Sequence, residues 1–226
     1  MNRSFSIKRS NFQLHPYELN KKTAFHEAGH AAAIYISNKE KQLPPIFFQI
    51  FIKDPVSGFH PESGHSCSSQ SHLYAWVEGG RLIHTLPSSL QEATSHFSSQ
   101  EKQAYQQAFE ADIMNLLVGP LAEAKYVALR DNELINPRLV DLHALHYYGG
   151  LSDLKTANEY LDCLLSDPDQ KAKKITELFG AAYRFINHPG YWRAITGLAD
   201  YILNAGKKVI ECEEAIAVLD ARLRLA

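Results

Sequence analysis

Apolar residues recur at helical spacing through most of this chain. Phe25, Ala28, Ala32, Tyr35 and Ile36 share one face of a segment from about Pro16 to Ser37, and Pro16 suits a first helical turn. From about Glu101 onward the pattern is helical almost throughout. Tyr105, Phe109, Ile113, Leu116 and Leu117 form one stripe, and Leu154, Ala157, Tyr160, Leu161 and Leu164 form another. Ile175, Leu178, Phe179, Ala182, Phe185 and Ile186 make a third. Trp192, Ile195, Leu198, Ala199, Ile202 and Leu203 make a fourth, set off from the third by His188-Pro189-Gly190. Ala215 to Leu225 completes a short terminal helix. Such stripes are core faces of a bundle.

The stretch from about Leu43 to Gln100 follows another rule. Ile46-Phe47-Phe48-Gln49-Ile50-Phe51-Ile52 is β-branched and aromatic and reads as a strand, followed by a turn at Asp54-Pro55-Val56-Ser57-Gly58. Its near-continuous apolar run favours burial in a core. From Phe59 to His72 serine, histidine and glycine dominate, as in a mobile loop. Tyr74-Ala75-Trp76-Val77 and Arg81-Leu82-Ile83-His84 read as short strands around Gly79-Gly80, and Ser88 to Gln100 as an exposed connector. The expectation is a mostly α fold, a helical bundle with a small β-hairpin or sheet inserted after the first helix. Residues 1–15 form a flexible N-terminal segment and 16–226 a single domain, with 59–100 as a variable insertion.

Composition narrows the class. With 226 residues, the chain makes one large domain or two small ones at roughly 150 residues each, long enough for a real core. Lys plus Arg total 23 against 25 Asp plus Glu, which leaves no nucleic-acid footprint and no polybasic membrane anchor. Cys67, Cys163 and Cys212 are odd in number and widely spaced, so they form no disulfide framework and fit a reducing, cytoplasmic setting. The first ten residues are polar and basic without an apolar core, unlike a signal peptide. No apolar run reaches the ~18 residues of a membrane span.

The chemistry lies in Phe25-His26-Glu27-Ala28-Gly29-His30. Two histidines four apart on a helix share one face, so one Zn²⁺ reaches both. Glu27, beside the first ligand, approaches a water on the metal without joining its ligands. Zinc lowers that water's pKa toward about 7, and Glu27 can take its proton and pass it to a leaving amine. With 11 histidines in the chain, the bland reading is two surface histidines on an amphipathic helix. Against it stand the clear apolar face and the small flanking residues. Gly29 costs about 1 kcal/mol of helix propensity against alanine, which makes sense if a substrate strand or another helix approaches closely.

A hydrolytic zinc site wants three protein ligands and an open position. Glu110, Asp112, Glu123, Asp153 and the histidines His60, His65 and His72 are candidates for the third, and spacing alone does not choose. Context favours Asp153, which follows Gly149-Gly150-Leu151-Ser152; Ser152 suits an N-cap, and the first turn of a helix favours a carboxylate. Plain charge complementarity at a helix start explains that placement equally well. Glu123 is the runner-up, or it supports a ligand histidine through the second ring nitrogen.

Thr23-Ala24-Phe25-His26-Glu27-Ala28-Gly29-His30-Ala31 resembles the peptidase domain of FtsH-type AAA+ proteases. Gly149-Gly150-Leu151-Ser152-Asp153-Leu154-Lys155-Thr156-Ala157 is similar to that family's small-residue turn before an aspartate and helix, which implies Asp153 as third zinc ligand. Leu117-Val118-Gly119-Pro120-Leu121-Ala122-Glu123 resembles its glycine-rich segment ending in Ala-Glu, and the run from Tyr183 to Ile216 resembles its closing helices. The resemblance covers most of residues 20–225, except 59–100. It implies a zinc metalloendopeptidase domain with Glu27 as general base, polypeptide substrates, and a homo-oligomer or a partner ATPase.

Three departures qualify it. No G-x-x-x-x-G-K-[ST] loop occurs, so this sequence has no ATPase module and its substrates are unfolded or flexible chains. Val118 and Pro120 stand where the family has Gly and Arg, and an interior proline costs about 3 kcal/mol unless it starts or kinks a helix. The insertion at 59–100 is longer and richer in Ser and His than the family's connection. The departures leave a second reading, a catalytically weak or inactive peptide-binding or regulatory subunit of an ATP-dependent protease. A third is a purely structural metal with a fourth protein ligand such as His65. The strand Ile46–Ile52 has a possible second role as an edge on which substrate adds.

Overall fold

The computed structural model describes residues 16–53, 74–81 and 86–224. Among these residues the chain is mostly helical. In order come α1 (Pro16–Glu40), β1 (Phe48–Ile52), β2 (Ala75–Gly79), α2 (Leu90–Ala93) and α3 (Ser99–Arg130). A 3-10 turn (Ala144–Tyr148), α4 (Leu151–Leu164), α5 (Pro168–Asn187), α6 (Pro189–Asn204), β3 (Val209–Ile210) and α7 (Cys212–Leu223) follow.

Helix ends lie where local chemistry supplies caps. Ser98 and Glu101 form a reciprocal capping box that starts α3. Pro168 and Pro189 occupy the first turns of α5 and α6, where a missing N–H costs nothing. His188 ends α5 and caps α6 by accepting from the Tyr191 amide. The α1 helix runs a few residues past the expected Ser37. The first turn of α4 is capped by Gly150 rather than by Ser152, because the helix already begins at Leu151.

Helices α1 and α3 form the central crossed pair, with α6 against α1, α4 and α5 against α3, and α7 against α6. Ala28, Ala32, Ile113, Leu117, Leu121, Ile195 and Leu198 are wholly buried between them. Each such leucine or isoleucine stabilises the fold by roughly 1.5–3 kcal/mol relative to exposure. Gly29 sits at the crossing. A Cβ there would lie 2.8 Å from the Ala122 Cβ and 3.0 Å from the Val118 carbonyl, so the close approach is made by helix α3. Pro120 lies inside α3, which continues through it unbroken. Its ring packs beside Gly150, where an added Cβ would stand 2.8 Å from the proline Cβ.

The sheet is antiparallel in the order β2-β1-β3. The strand predicted from Ile46 is therefore the middle one and starts two residues later, with Phe47 exposed before it. Both of its edges are paired, so it offers no edge to a substrate. Lys53 N donates to Tyr74 O and Gly80 N to Phe47 O, which puts the bonded pairs at odd residues of β1. Ala75, Val77 and Gly79 therefore turn their backbone groups away from β1. Ser88–Gln100 is more than an exposed connector: it holds α2 and buries Leu90 and Thr94. The turn expected at 54–58, the loop at 59–72, the strand residues 82–84 and the segment 1–15 lie outside the described residues. No helix among the described residues is long and apolar enough to cross a membrane.

Candidate metal centre

Helix α1 brings His26, Glu27 and His30 to the inner side of its crossing with α3, all three nearly buried. The chain reaches the same place again at α4, where Asp153 occupies the first turn. His26 Nε2 lies 3.2 Å from Asp153 Oδ2, and His30 Nε2 lies 3.5 Å from Oδ1. One ligand atom from each of the three residues falls within 4.8 Å of the others, a group able to hold a metal ion.

The far ring nitrogens decide the state of the near ones. His30 Nδ1 is 2.9 Å from the Asn115 carbonyl oxygen, which only accepts, so Nδ1 carries the proton. His26 Nδ1 faces two acceptors, Glu123 Oε2 at 3.3 Å and the Tyr148 carbonyl at 3.2 Å, and donates as well. In the neutral rings both Nε2 atoms then hold lone pairs, and both point at a carboxylate. Lone pairs against an anion repel unless a cation lies between them. Asp153 Oδ2 is buried and accepts no aligned hydrogen bond among the described residues, despite the nearby imidazole. The donor set therefore fits a shared cation, either protons on the rings or a metal ion.

The electrostatics agree. Burial opposes the charged forms, pushing the imidazoles down and the Asp153 carboxyl up. For His26 the closeness of the Asp153 and Glu123 carboxylates outweighs burial and holds the ring well above 6.5. For His30 Asp153 does the same. Asp153, facing two rings, stays well below the usual carboxylate range through the charge and closeness of His30 and His26. Glu27 is raised above 4.5 by burial, partly offset by both histidines and by the Val77 amide. That amide, on the outward edge of β2, donates to Glu27 Oε2 at 2.8 Å. One carboxylate oxygen is thus fixed, which leaves the other to exchange protons.

Small residues make the centre possible. A Cβ at Gly119 would overlap the His30 ring. Gly149 has φ +72°, a left-handed conformation suited to glycine, and a Cβ there would stand 3.2 Å from both Glu123 Oε2 and His26. Two consecutive glycines let the turn pass close to His26 before α4 delivers Asp153.

Of the candidate third ligands, Asp153 joins the histidines and Glu123 supports His26 from behind. Glu110 pairs with Lys174 at 3.1 Å, and Asp112 pairs with Arg81 at 3.3 Å, so neither faces the group. His60, His65 and His72 lie outside the described residues. Sequence reasoning missed three contributors: the Asn115 and Tyr148 carbonyls and the Val77 amide. Backbone groups leave no residue-type signal. Comparison with family models, with curated proteins and with solved structures found no match to this chain.

Proposed function

We propose that this chain is a zinc-dependent endopeptidase of the FtsH type that hydrolyses unfolded or flexible polypeptides. The observation that carries the reading is the convergence of the two Nε2 lone pairs and the Asp153 carboxylate beside a buried glutamate. His26, His30 and Asp153 would hold the metal. The two nitrogen–oxygen separations of 3.2 and 3.5 Å, within a group whose ligand atoms span no more than 4.8 Å, leave room for one cation between them.

Zinc held there would supply Lewis acidity, polarising a scissile carbonyl and acidifying a water. Glu27 is the general base: its burial raises its proton affinity, so it takes a proton from the attacking water and returns it to the leaving amine. The Val77 N–H keeps the carboxylate oriented during that exchange. Glu123 and the Asn115 and Tyr148 carbonyls fix both rings with Nε2 inward.

Purified protein should contain about one zinc per chain and digest unfolded casein. Glu27→Gln should retain the zinc and lose hydrolysis by about a hundredfold or more. Equal activity in that variant sinks the mechanism. Stoichiometric zinc with no hydrolysis of any unfolded substrate by the wild type favours the regulatory-subunit reading instead.

A further inference from the structure

Beyond the metal centre, the chain buries a second charged cluster. Beyond β2, Gly79 and Gly80 turn the chain with φ of +109° and +86°, and Arg81 follows at once. A Cβ at Gly79 would lie 2.6 Å from the Phe47 carbonyl, so this turn is pressed against the residue preceding β1. Arg81 then reaches into the helical body. Its Nε is 3.3 Å from Asp112 Oδ1 on α3, and its Nη2 donates to Asn38 Oδ1 near the end of α1. The Arg81 carbonyl accepts from the Tyr160 hydroxyl of α4 at 3.3 Å. Asn38, Asp112 and Tyr160 are all buried.

Helix α1 therefore meets the β2 segment at two points, Glu27 through Val77 and Asn38 through Arg81. Residues 27 and 38 stand about 16 Å apart along the helix, so the β2 segment is tied to α1 at the middle of the strand, through Val77, and just past its end, through Arg81. Pinning at Arg81 sets where the Val77 amide stands, and that amide holds the Glu27 carboxylate.

We propose that Arg81, clamped by Asp112 and Asn38, is a positioning residue that fixes strand β2 and thereby aims Glu27 at the reacting centre. The proposal rests on Glu27 acting as the base. A buried ion pair is a poor choice for stability alone, since an apolar pair of similar volume serves equally well or better. What the fork-shaped guanidinium adds is geometry, two directed contacts to two different helices.

The test compares wild type, the double variant Arg81→Met/Asp112→Leu, and Arg81→Lys, all loaded with zinc. The double variant removes the clamp without leaving a buried charge unpaired. It should fold and bind zinc like the wild type. Its Val77 amide, followed by NMR hydrogen exchange, should exchange about tenfold faster or more, as one native hydrogen bond loosens. On a casein-derived peptide its kcat should fall at least ~10-fold while KM changes by less than about twofold, the signature of a misaimed catalytic group. Arg81→Lys, which keeps the charge but not the fork, should restore part of both and serves as the working variant if the double variant does not fold. Unchanged Val77 exchange in a folded variant overturns the proposal, and so does a fall in KM-dependent binding with kcat intact. A wild type that hydrolyses nothing overturns the peptidase reading instead, and the Val77 exchange then judges the clamp by itself.

Discussion

Two aspartates in this molecule, Asp112 buried and Asp153 nearly so, meet opposite fates. Asp153 faces two imidazoles, and its carboxyl is held well below the ordinary carboxylate range despite its burial. Asp112 is buried to a similar degree but has Arg81 alone at hydrogen-bonding distance, with Lys41 further off. There burial dominates and pushes its carboxyl up to about 6. Burial alone therefore does not mark a functional acid. The count and closeness of cationic partners decides whether a buried carboxylate is a committed anion, fit to hold a metal, or a reluctant one whose pairing serves position.

The sharpest way to break this contrast is to neutralise each acid in turn. Asp153→Asn should reduce zinc affinity by more than the ~10–100-fold that losing a supporting residue costs, read by competition with a chelator. Asp112→Asn should leave zinc affinity unchanged. Equal losses would mean that the two acids belong to one electrostatic unit.

Stability against pH separates them next. Asp112 holds its proton more tightly in the folded chain, at about 6, than at its ordinary 3.8. Between those values the folded state keeps a proton that the unfolded state has released, so this group's contribution to stability rises as the pH falls through 6 and is complete only below 3.8. Relative to Asp112→Asn, the wild type should gain roughly 2.5 kcal/mol between pH 7 and pH 4 in urea unfolding. In the metal-free protein Asp153 works the other way: its depressed carboxyl stabilises above 3.8 and loses that contribution as the pH falls further. A flat difference between wild type and Asp112→Asn would contradict the raised value.

Smaller effects test the support behind the metal centre. Glu123→Gln keeps the shape but removes the charge at His26 Nδ1, and should weaken zinc binding by about 10–100-fold. Gly149→Ala forces a side chain into a left-handed backbone 3.2 Å from His26 and should cost about 1–2 kcal/mol of stability, measured by thermal unfolding. It should also weaken zinc binding, by less than Glu123→Gln does.

How much of this was legible in the sequence divides along the same line. His26, Glu27 and His30 lie on one helix, where a fixed periodicity turns spacing into geometry. The bundle was legible for the same reason, since Ile113, Leu117, Ile195 and Leu198 mark buried faces by period alone. Spacing alone left Asp153 among several candidates, because no local rule links residues so far apart; context and the resemblance singled it out, and the fold brings it to both histidines. Its place in a first helical turn was legible, but the helix starts two residues earlier than Ser152 as cap implied, since packing against Pro120 and Leu145 puts Gly150 at the cap. The β side was the less legible. Middle and edge strands look alike in sequence, so Ile46–Ile52 was expected as a possible edge and proved to be the centre. Val209 and Ile210 are too few to announce a strand. Asp112 was weighed as a metal ligand, and only its contact with Arg81 reveals its different task.

The account turns on an open three-ligand metal centre. X-ray absorption and a crystal structure of the zinc-loaded protein test it most directly. The account predicts one zinc held by His26 Nε2, His30 Nε2 and an Asp153 carboxylate oxygen, with a remaining position facing solvent beside Glu27. A fourth protein ligand closing that position, or zinc bound away from Asp153, would contradict it.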